Sequence, residues 1–221
     1  LNGKDTIDTN KGIFLDKTFR LHSSINEFIS STFYDSRLNS EPMADERKIM
    51  FPKNSIIQEP GIYFYPVSHQ YNTQKSIEEA SVVKDLYKEL IDSEFIDENN
   101  GKRKIDIKDI LTVSPYNLQV NYLQEELSDM ARVGTIDKFQ GQEAPITIIT
   151  MATSDSENIP RGKSWLFERN RINVAISRAQ LISIVIFNPN LLQTNCSNIR
   201  EMKLLNTFCK LTDYKTIRFK C

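Results

Sequence analysis

The chain has 221 residues, of which 39% are hydrophobic and 26% charged, a balance that suits one globular domain with a sizeable core and excludes a disordered chain. The formal net charge is −1, which excludes binding to nucleic acid through bulk charge, so any such contact must come from a local patch. Cys196, Cys209 and Cys221 are few, odd in number and lack metal-ligand spacing, which points to a reduced, cytoplasmic protein with no metal site. No apolar run reaches the length of a membrane span, and the opening LNGKDTIDTN is not a signal peptide. Because it does not begin with Met, the chain is expected to be an excised piece of a longer polypeptide.

Residues 1–11 read as a loose polar lead-in, and Gly12-Ile13-Phe14-Leu15 as a first strand. Ser23 or Ser24 then caps a helix with Ile25, Phe28, Ile29 and Phe33 on one face. Arg20 is left in the strand-to-helix turn, with its head free to point out of the fold. Residues 36–60 carry Pro42, Pro52, Pro60 and several charges, and predict a surface excursion. Ile62–Val67 is a strand. Ser76-Ile77-Glu78-Glu79 is a capping box that opens a helix with Ala80, Val83, Leu86, Tyr87, Leu90 and Ile91 inward. Capping accounts for Glu78 and Glu79 better than a catalytic carboxylate pair does. Residues 94–108 are a charged, turn-rich connection around Asn99-Asn100-Gly101. Ile110–Ser114 is the next strand, delivering Ser114-Pro115-Tyr116-Asn117 to its end before a helix from Leu118 to Met130.

The densest stretch is 133–180. Arg132–Ile136 and Ile146–Met151 read as buried parallel strands. Between them, Asp137-Lys138-Phe139-Gln140-Gly141-Gln142-Glu143 is a polar stretch at a strand end, where open α/β sheets bind ligands. The alternative is an ordinary solvated loop. Thr153–Ser164 is a polar loop. Its Gly162-Lys163-Ser164 resembles the end of a phosphate loop, but a glycine is required five positions earlier, where the chain has Glu157. Asn170 and Arg171 begin a short helix that ends near Arg178. Ile182–Phe187 is the last strand, and Asn188-Pro189-Asn190 turns the chain. The final helix spans Arg200–Leu211 with Met202, Leu205, Phe208 and Cys209 as its apolar stripe. The alternation predicts a single doubly wound α/β domain over 1–221, with about five or six mostly parallel strands flanked by helices.

TIDKFQGQE and NRINVAISRA resemble motifs V and VI of the Upf1-like, 5′-to-3′ helicases of superfamily 1B. TFRLHSSINEFIS resembles their motif IIIa, with Leu21-His22-Ser23 where that family usually has Met-His-Pro, and Ser114-Pro115-Tyr116 resembles the motif IV region. The resemblance covers nearly the whole chain as the second, C-terminal motor domain, nearest to the helicase half of bacterial proteins that carry a RecB-like nuclease. It implies a RecA-like P-loop NTPase fold lacking its own P-loop. The Walker A loop and the acidic magnesium motif would lie in a first motor domain N-terminal to Leu1, so ATP and Mg2+ would be bound mainly there and this segment alone would be inactive.

The same resemblance implies that Arg20 and Arg178 are arginine fingers on the γ-phosphate of ATP. It implies that Glu143 accepts from the ribose hydroxyls, that Gly141 allows close backbone approach, and that Phe19 lies near the base. Thr135, Ser114, Tyr116 and Lys138 become contacts to single-stranded nucleic acid, DNA before RNA. The implied partners are that strand and the N-terminal motor domain, with no membrane. The alternative from another class is a non-catalytic nucleic-acid-binding or docking module with the same fold. A nuclease is disfavoured, because His22 and His69 are the only histidines and no carboxylate cluster accompanies them.

Overall fold

In the computed structural model, which describes residues 5–8, 10–91, 93–154 and 159–217, the chain begins with a short strand β1 (Lys17–Thr18) and a helix α1 (Ser23–Phe33). The excursion that follows holds β2 (Asn39–Ser40), α2 (Pro42–Asp45) and β3 (Lys48–Met50). Next come β4 (Gly61–Pro66), α3 (Ile77–Leu90), β5 (Glu94–Ile96), β6 (Lys102–Lys104) and β7 (Ile110–Val113). The second half holds α4 (Asn117–Glu126), β8 (Arg132–Gly134), β9 (Ala144–Thr150), α5 (Lys163–Leu166), α6 (Arg169–Ile176), β10 (Ala179–Phe187), α7 (Ile199–Leu211) and β11 (Lys215–Thr216).

Six strands form one parallel sheet in the order β11-β4-β10-β9-β7-β8. Its central strands are apolar on both faces, as strands covered by two helical layers must be. Alternate residues serve opposite cores. Ile62, Phe64, Ile149, Val185 and Phe187 pack with α1, α6 and α7. Tyr63, Tyr65, Ile148, Ile184 and Ile186 pack with α3 and α4. This is the doubly wound α/β architecture expected from the alternating pattern. No helix among the described residues is long and apolar enough to cross a membrane.

Several expectations are corrected. Residues 12–15 form no strand: Ile13 and Leu15 are 91% and 81% exposed, and only Phe14 finds partners, at Tyr34 and Arg37. Four residues with no core beneath them gain nothing from extension. The lead-in, where described, is tied down: Arg169 pairs with Asp5, Asp35 accepts from the Thr6 amide at 2.8 Å, and Arg37 donates to the Ile7 carbonyl. Residues 94–108 fold as a β5–β6 hairpin on β3, giving a three-stranded antiparallel sheet. The stripe of α7 is Leu204, Leu205, Phe208 and Leu211, while Met202 is 59% exposed; Met202 lies around the helix from that face.

The capping box at α3 is half-formed. Ser76 Oγ accepts from the Glu79 amide at 3.0 Å, but the Ser76 amide donates to Gln119 Oε1 at 2.8 Å instead of to Glu79. Glu79 turns inward and is fully buried, accepting from Thr150 Oγ1 and the Ala152 amide and bonding His69 Nε2 at 3.0 Å. Three interior partners outcompete one at the helix start, because a buried carboxylate must be fully satisfied.

Candidate functional site

Strands β9 and β10 begin level with each other. Ala144 is in register with Ala179, and the Ala144 amide donates to the Arg178 carbonyl at 3.1 Å. Glu143 and Arg178 each precede their strand by one residue, so parallel pairing makes them neighbours at the amino-terminal edge of the sheet. Gln180 Nε2 donates to Glu143 Oε1 at 2.9 Å. Arg20 reaches the same place from the turn before α1, where the His22 amide donates to the Gln180 carbonyl at 3.0 Å. Its Nε pairs with Glu143 Oε2, and its Nη1 donates to the Ser177 carbonyl at 3.3 Å.

The electrostatics follow from this crowding. Burial works to raise the Glu143 carboxyl, but the bond and charge of Arg20, with the Gln180 bond and the charge of Arg47, together hold the group below the usual carboxylate range. Burial, and then repulsion from Arg20, push Arg178 down against the opposing pull of Glu143. Arg178 Nη1 donates to the Gln142 carbonyl at 3.2 Å, while its Nε is shielded from solvent and has no partner among the described residues. An unpartnered guanidinium nitrogen beside a carboxylate and a second guanidinium is suited to a multiply charged anion.

Two further residues complete this edge. Gly141 has φ +80, a conformation glycine adopts without strain, and nothing lies within 4 Å of where its Cβ would be. Phe19 is 59% exposed. Arg132, which the sequence reading treats only as a strand residue, donates to the Lys108 carbonyl at 3.0 Å, to the Glu143 carbonyl at 3.3 Å and to Gln142 Oε1 at 2.9 Å. It fixes the backbone from which Glu143 projects. A charged residue opening a short strand is the one sequence signal that marks it.

The remaining predicted residues lie on the opposite edge. Gly134 is level with Val113, and Val113 with Ile149. The segment 135–143 therefore runs from the carboxyl-terminal edge to the amino-terminal edge, roughly 20 Å at about 3.3 Å per residue. Thr135 and Tyr116 line a cleft of about 410 Å³ there, with Asn117, Arg161, Trp165 and Arg171. The Trp165 ring lies 5.4 Å from Tyr116, and the guanidiniums of Arg161 and Arg171 lie 5.0 and 4.8 Å from its centre. The sequence reading missed this cluster; its signal is the single tryptophan of the chain, set between arginines.

Ser114 is not among the residues lining this cleft: it is fully buried, and its Oγ accepts from the Tyr116 amide at 3.4 Å. Tyr116 is also mostly buried, its hydroxyl accepting from Thr153 Oγ1 at 3.2 Å, and burial pushes the phenol pKa up. Lys138 is exposed and donates to the Val133 carbonyl at 3.4 Å, its stem lying over Gly134, where a Cβ would meet it at 2.7 Å.

Behind the cleft runs a buried polar chain. His69 Nδ1 bonds Ser154 Oγ at 2.7 Å, and Gln119 Nε2 donates to the Ser76 carbonyl at 3.1 Å and to Thr150 Oγ1 at 3.3 Å. With Glu79, these groups tie the end of β9 to the starts of α3 and α4. Gly162-Lys163-Ser164 opens α5 rather than a solvent loop, Leu166 is buried behind it, and Lys163 Nζ donates to the Asn195 carbonyl at 2.6 Å. Glu157 and Cys221 lie outside the described residues.

The AAA domain family matches residues 4–190 of the chain. Among curated proteins, DNA polymerase alpha-associated DNA helicase A of Schizosaccharomyces pombe is 29% identical over 187 residues, covering 80% of this chain and 28% of that protein. Its namesake in Saccharomyces cerevisiae is 26% identical over 214 residues, covering 89% and 30%. ATP-dependent helicase upf1 of Schizosaccharomyces pombe is 26% identical over 193 residues, covering 79% and 19%. The chain thus spans less than a third of the length of each.

Proposed function

The chain belongs to the AAA domain family, and from that premise we propose that it is the second, C-terminal motor domain of an ATP-dependent helicase of superfamily 1B. The observation that carries this reading is the convergence of Arg20 and Arg178 about Glu143 on one edge of the sheet. Similarity to helicases along most of the chain supports it.

Hydrolysis of ATP spreads negative charge over the γ-phosphoryl oxygens, and guanidiniums stabilise that charge because they are permanently cationic and can donate in a fork. Arg178 brings a guanidinium to the edge that is held there by one bond to the Gln142 carbonyl, and Arg20 can exchange its carboxylate for phosphate oxygens. Glu143 uses one bond from Arg20 and one from Gln180, leaving lone pairs for the ribose hydroxyls. Gly141 and Phe19 leave room and an apolar face for the rest of the nucleotide. The triphosphate comes from the first motor domain, so these groups act when the two domains close on it. Magnesium would be held by that domain, where it would neutralise phosphate charge. The amino-terminal edge does not suit a divalent cation, since Glu143 is engaged by Arg20 and flanked by further guanidiniums.

The carboxyl-terminal edge is the track for single-stranded nucleic acid, DNA in the first instance. Thr135 and Lys138 would donate to phosphates, and Tyr116, Trp165, Arg161 and Arg171 would meet bases and backbone. Ser114 contributes no direct contact. The test is ATP hydrolysis by the full-length protein with and without single-stranded DNA. Arg178→Ala should stop stimulated turnover while nucleotide still binds; turnover at the wild-type rate removes the assignment.

A further inference from the structure

The segment 39–47 lies along residues 17–23 and grips it almost residue by residue. β1 and β2 pair in parallel, Lys17 opposite Asn39 and Thr18 opposite Ser40. The Glu41 amide donates to the Thr18 carbonyl at 2.9 Å, Ser40 Oγ donates to the Leu21 carbonyl at 2.8 Å, and Asp45 Oδ1 accepts from the Ser23 amide at 2.7 Å. Arg20 sits in the middle of the gripped stretch, and its carbonyl accepts from Nη1 of Arg47 at 2.9 Å.

Arg47 is the unusual member of this set. Its side chain is only 8% exposed. Removing a guanidinium from water is costly unless its donors are taken up. Its Nε donates to Glu98 Oε2 at 2.8 Å, in the turn between β5 and β6, and its other partner is the Arg20 carbonyl. A planar, rigid fork bound at two places constrains the groups that it joins. An ion pair whose carboxylate is 29% exposed contributes little net stability, so the constraint itself is the better account of why the guanidinium is buried here.

We infer that Arg47 is the positioning residue for Arg20: it fixes the backbone from which the Arg20 guanidinium is presented, and through Glu98 it ties that presentation to the small antiparallel sheet β3-β5-β6. This rests on the role proposed above for the amino-terminal edge. A misplacement of about 1 Å at a catalytic group can cost on the order of a hundredfold in rate, which sets the size of effect expected.

The experiment compares Arg20→Ala, Arg47→Ala, Arg47→Lys and the Arg20→Ala/Arg47→Ala double variant in the full-length protein, by kcat and KM of DNA-stimulated ATP hydrolysis. Arg47→Ala should lower kcat about ten- to a hundredfold with KM for ATP nearly unchanged. Arg47→Lys, which keeps the charge and one donor, should recover part of the loss. The double variant should be no slower than Arg20→Ala alone, because nothing is left to position. Losses that multiply in the double variant, or wild-type turnover in Arg47→Ala while Arg20→Ala is slow, overturn the inference and leave the wider reading intact. Wild-type turnover in Arg20→Ala overturns both. Should Arg47→Ala fail to fold, Glu98→Ala takes its place in the same cycle, since it removes the acceptor of Arg47 Nε without removing Arg47, and a loss that multiplies with that of Arg20→Ala overturns the inference again.

Discussion

At the amino-terminal edge of the parallel sheet, three guanidiniums surround the Gln142–Glu143 corner and are held by carbonyl oxygens and one carboxylate. At the carboxyl-terminal edge the supporting groups are a fully buried carboxylate, a histidine, hydroxyls and an amide, and the cleft in front of them carries charge on Asp137 and on the arginines around Trp165, with exposed Lys138 beside it. The contrast teaches that one sheet can present two kinds of recognition. The first edge is preloaded with cation and waits for an anion. The second is a shaped polar cleft whose floor is rigid because every buried group behind it is satisfied. Under the proposed function, the first edge would serve the transferring phosphate and the second the strand that is moved.

The comparison breaks if the two edges cannot be impaired separately. The largest effect is expected from Arg178→Ala, with kcat for DNA-stimulated ATP hydrolysis falling about a thousandfold while DNA affinity in the absence of nucleotide stays within about twofold, well under 1 kcal/mol. Equal losses in both readouts would show that the edges are not distinct. Next is Glu79→Ala, which strands His69, Thr150 and the Ala152 amide in the interior. Urea unfolding should show a loss of about 3 kcal/mol, and an unchanged midpoint would mean that the buried chain does not hold the cleft.

Trp165→Ala sharpens the comparison from the other side. Fluorescence anisotropy with a labelled single strand should show affinity falling about tenfold, with kcat retained at saturating DNA. A kcat defect with normal affinity would move Trp165 to the hydrolytic edge. The smallest effect concerns pH. The folded Glu143 carboxyl is held low by Arg20 despite burial, so its contribution to stability is complete above the ordinary value of about 4.3 and is lost as pH falls through the lower folded value. With the side chain 43% exposed, solvent screening limits this to about 0.5 kcal/mol or less. Glu143→Gln should flatten the acid limb of stability against pH in urea titrations; an identical slope in both proteins would mean that the ion pair is not formed in solution.

Much of this was legible along the chain. The strands announced themselves as short apolar runs, Ser76 and its helix followed from capping chemistry, and Arg20, Glu143 and Arg178 were singled out by motif before any coordinate. What escaped notice shares a cause. Arg47 falls within the 36–60 excursion and Arg132 within a strand, and neither stands out, because the carbonyls that they serve, on Arg20 and Glu143, lie elsewhere in the sequence. Ser114 looked like a ligand contact because its position at a strand end is right, yet its side chain faces inward. Glu79 looked like a cap because the spacing to Ser76 is right, and it turned to His69 instead.

Periodicity, capping and turn chemistry act over a few residues, so they are enough to give the α/β class and most of the elements, while the three charged residues of the site are marked only by resemblance to known motifs. Which edge of the sheet each polar group reaches, and which partner satisfies it, depends on strand register between segments brought together from distant parts of the chain. Pairing Ala144 with Ala179 made Glu143 and Arg178 neighbours, and the β7–β9 register sent Thr135 and Tyr116 to the other side. Folding satisfies buried charge and hydrogen-bonding groups in three dimensions, and a linear pattern carries no record of that geometry.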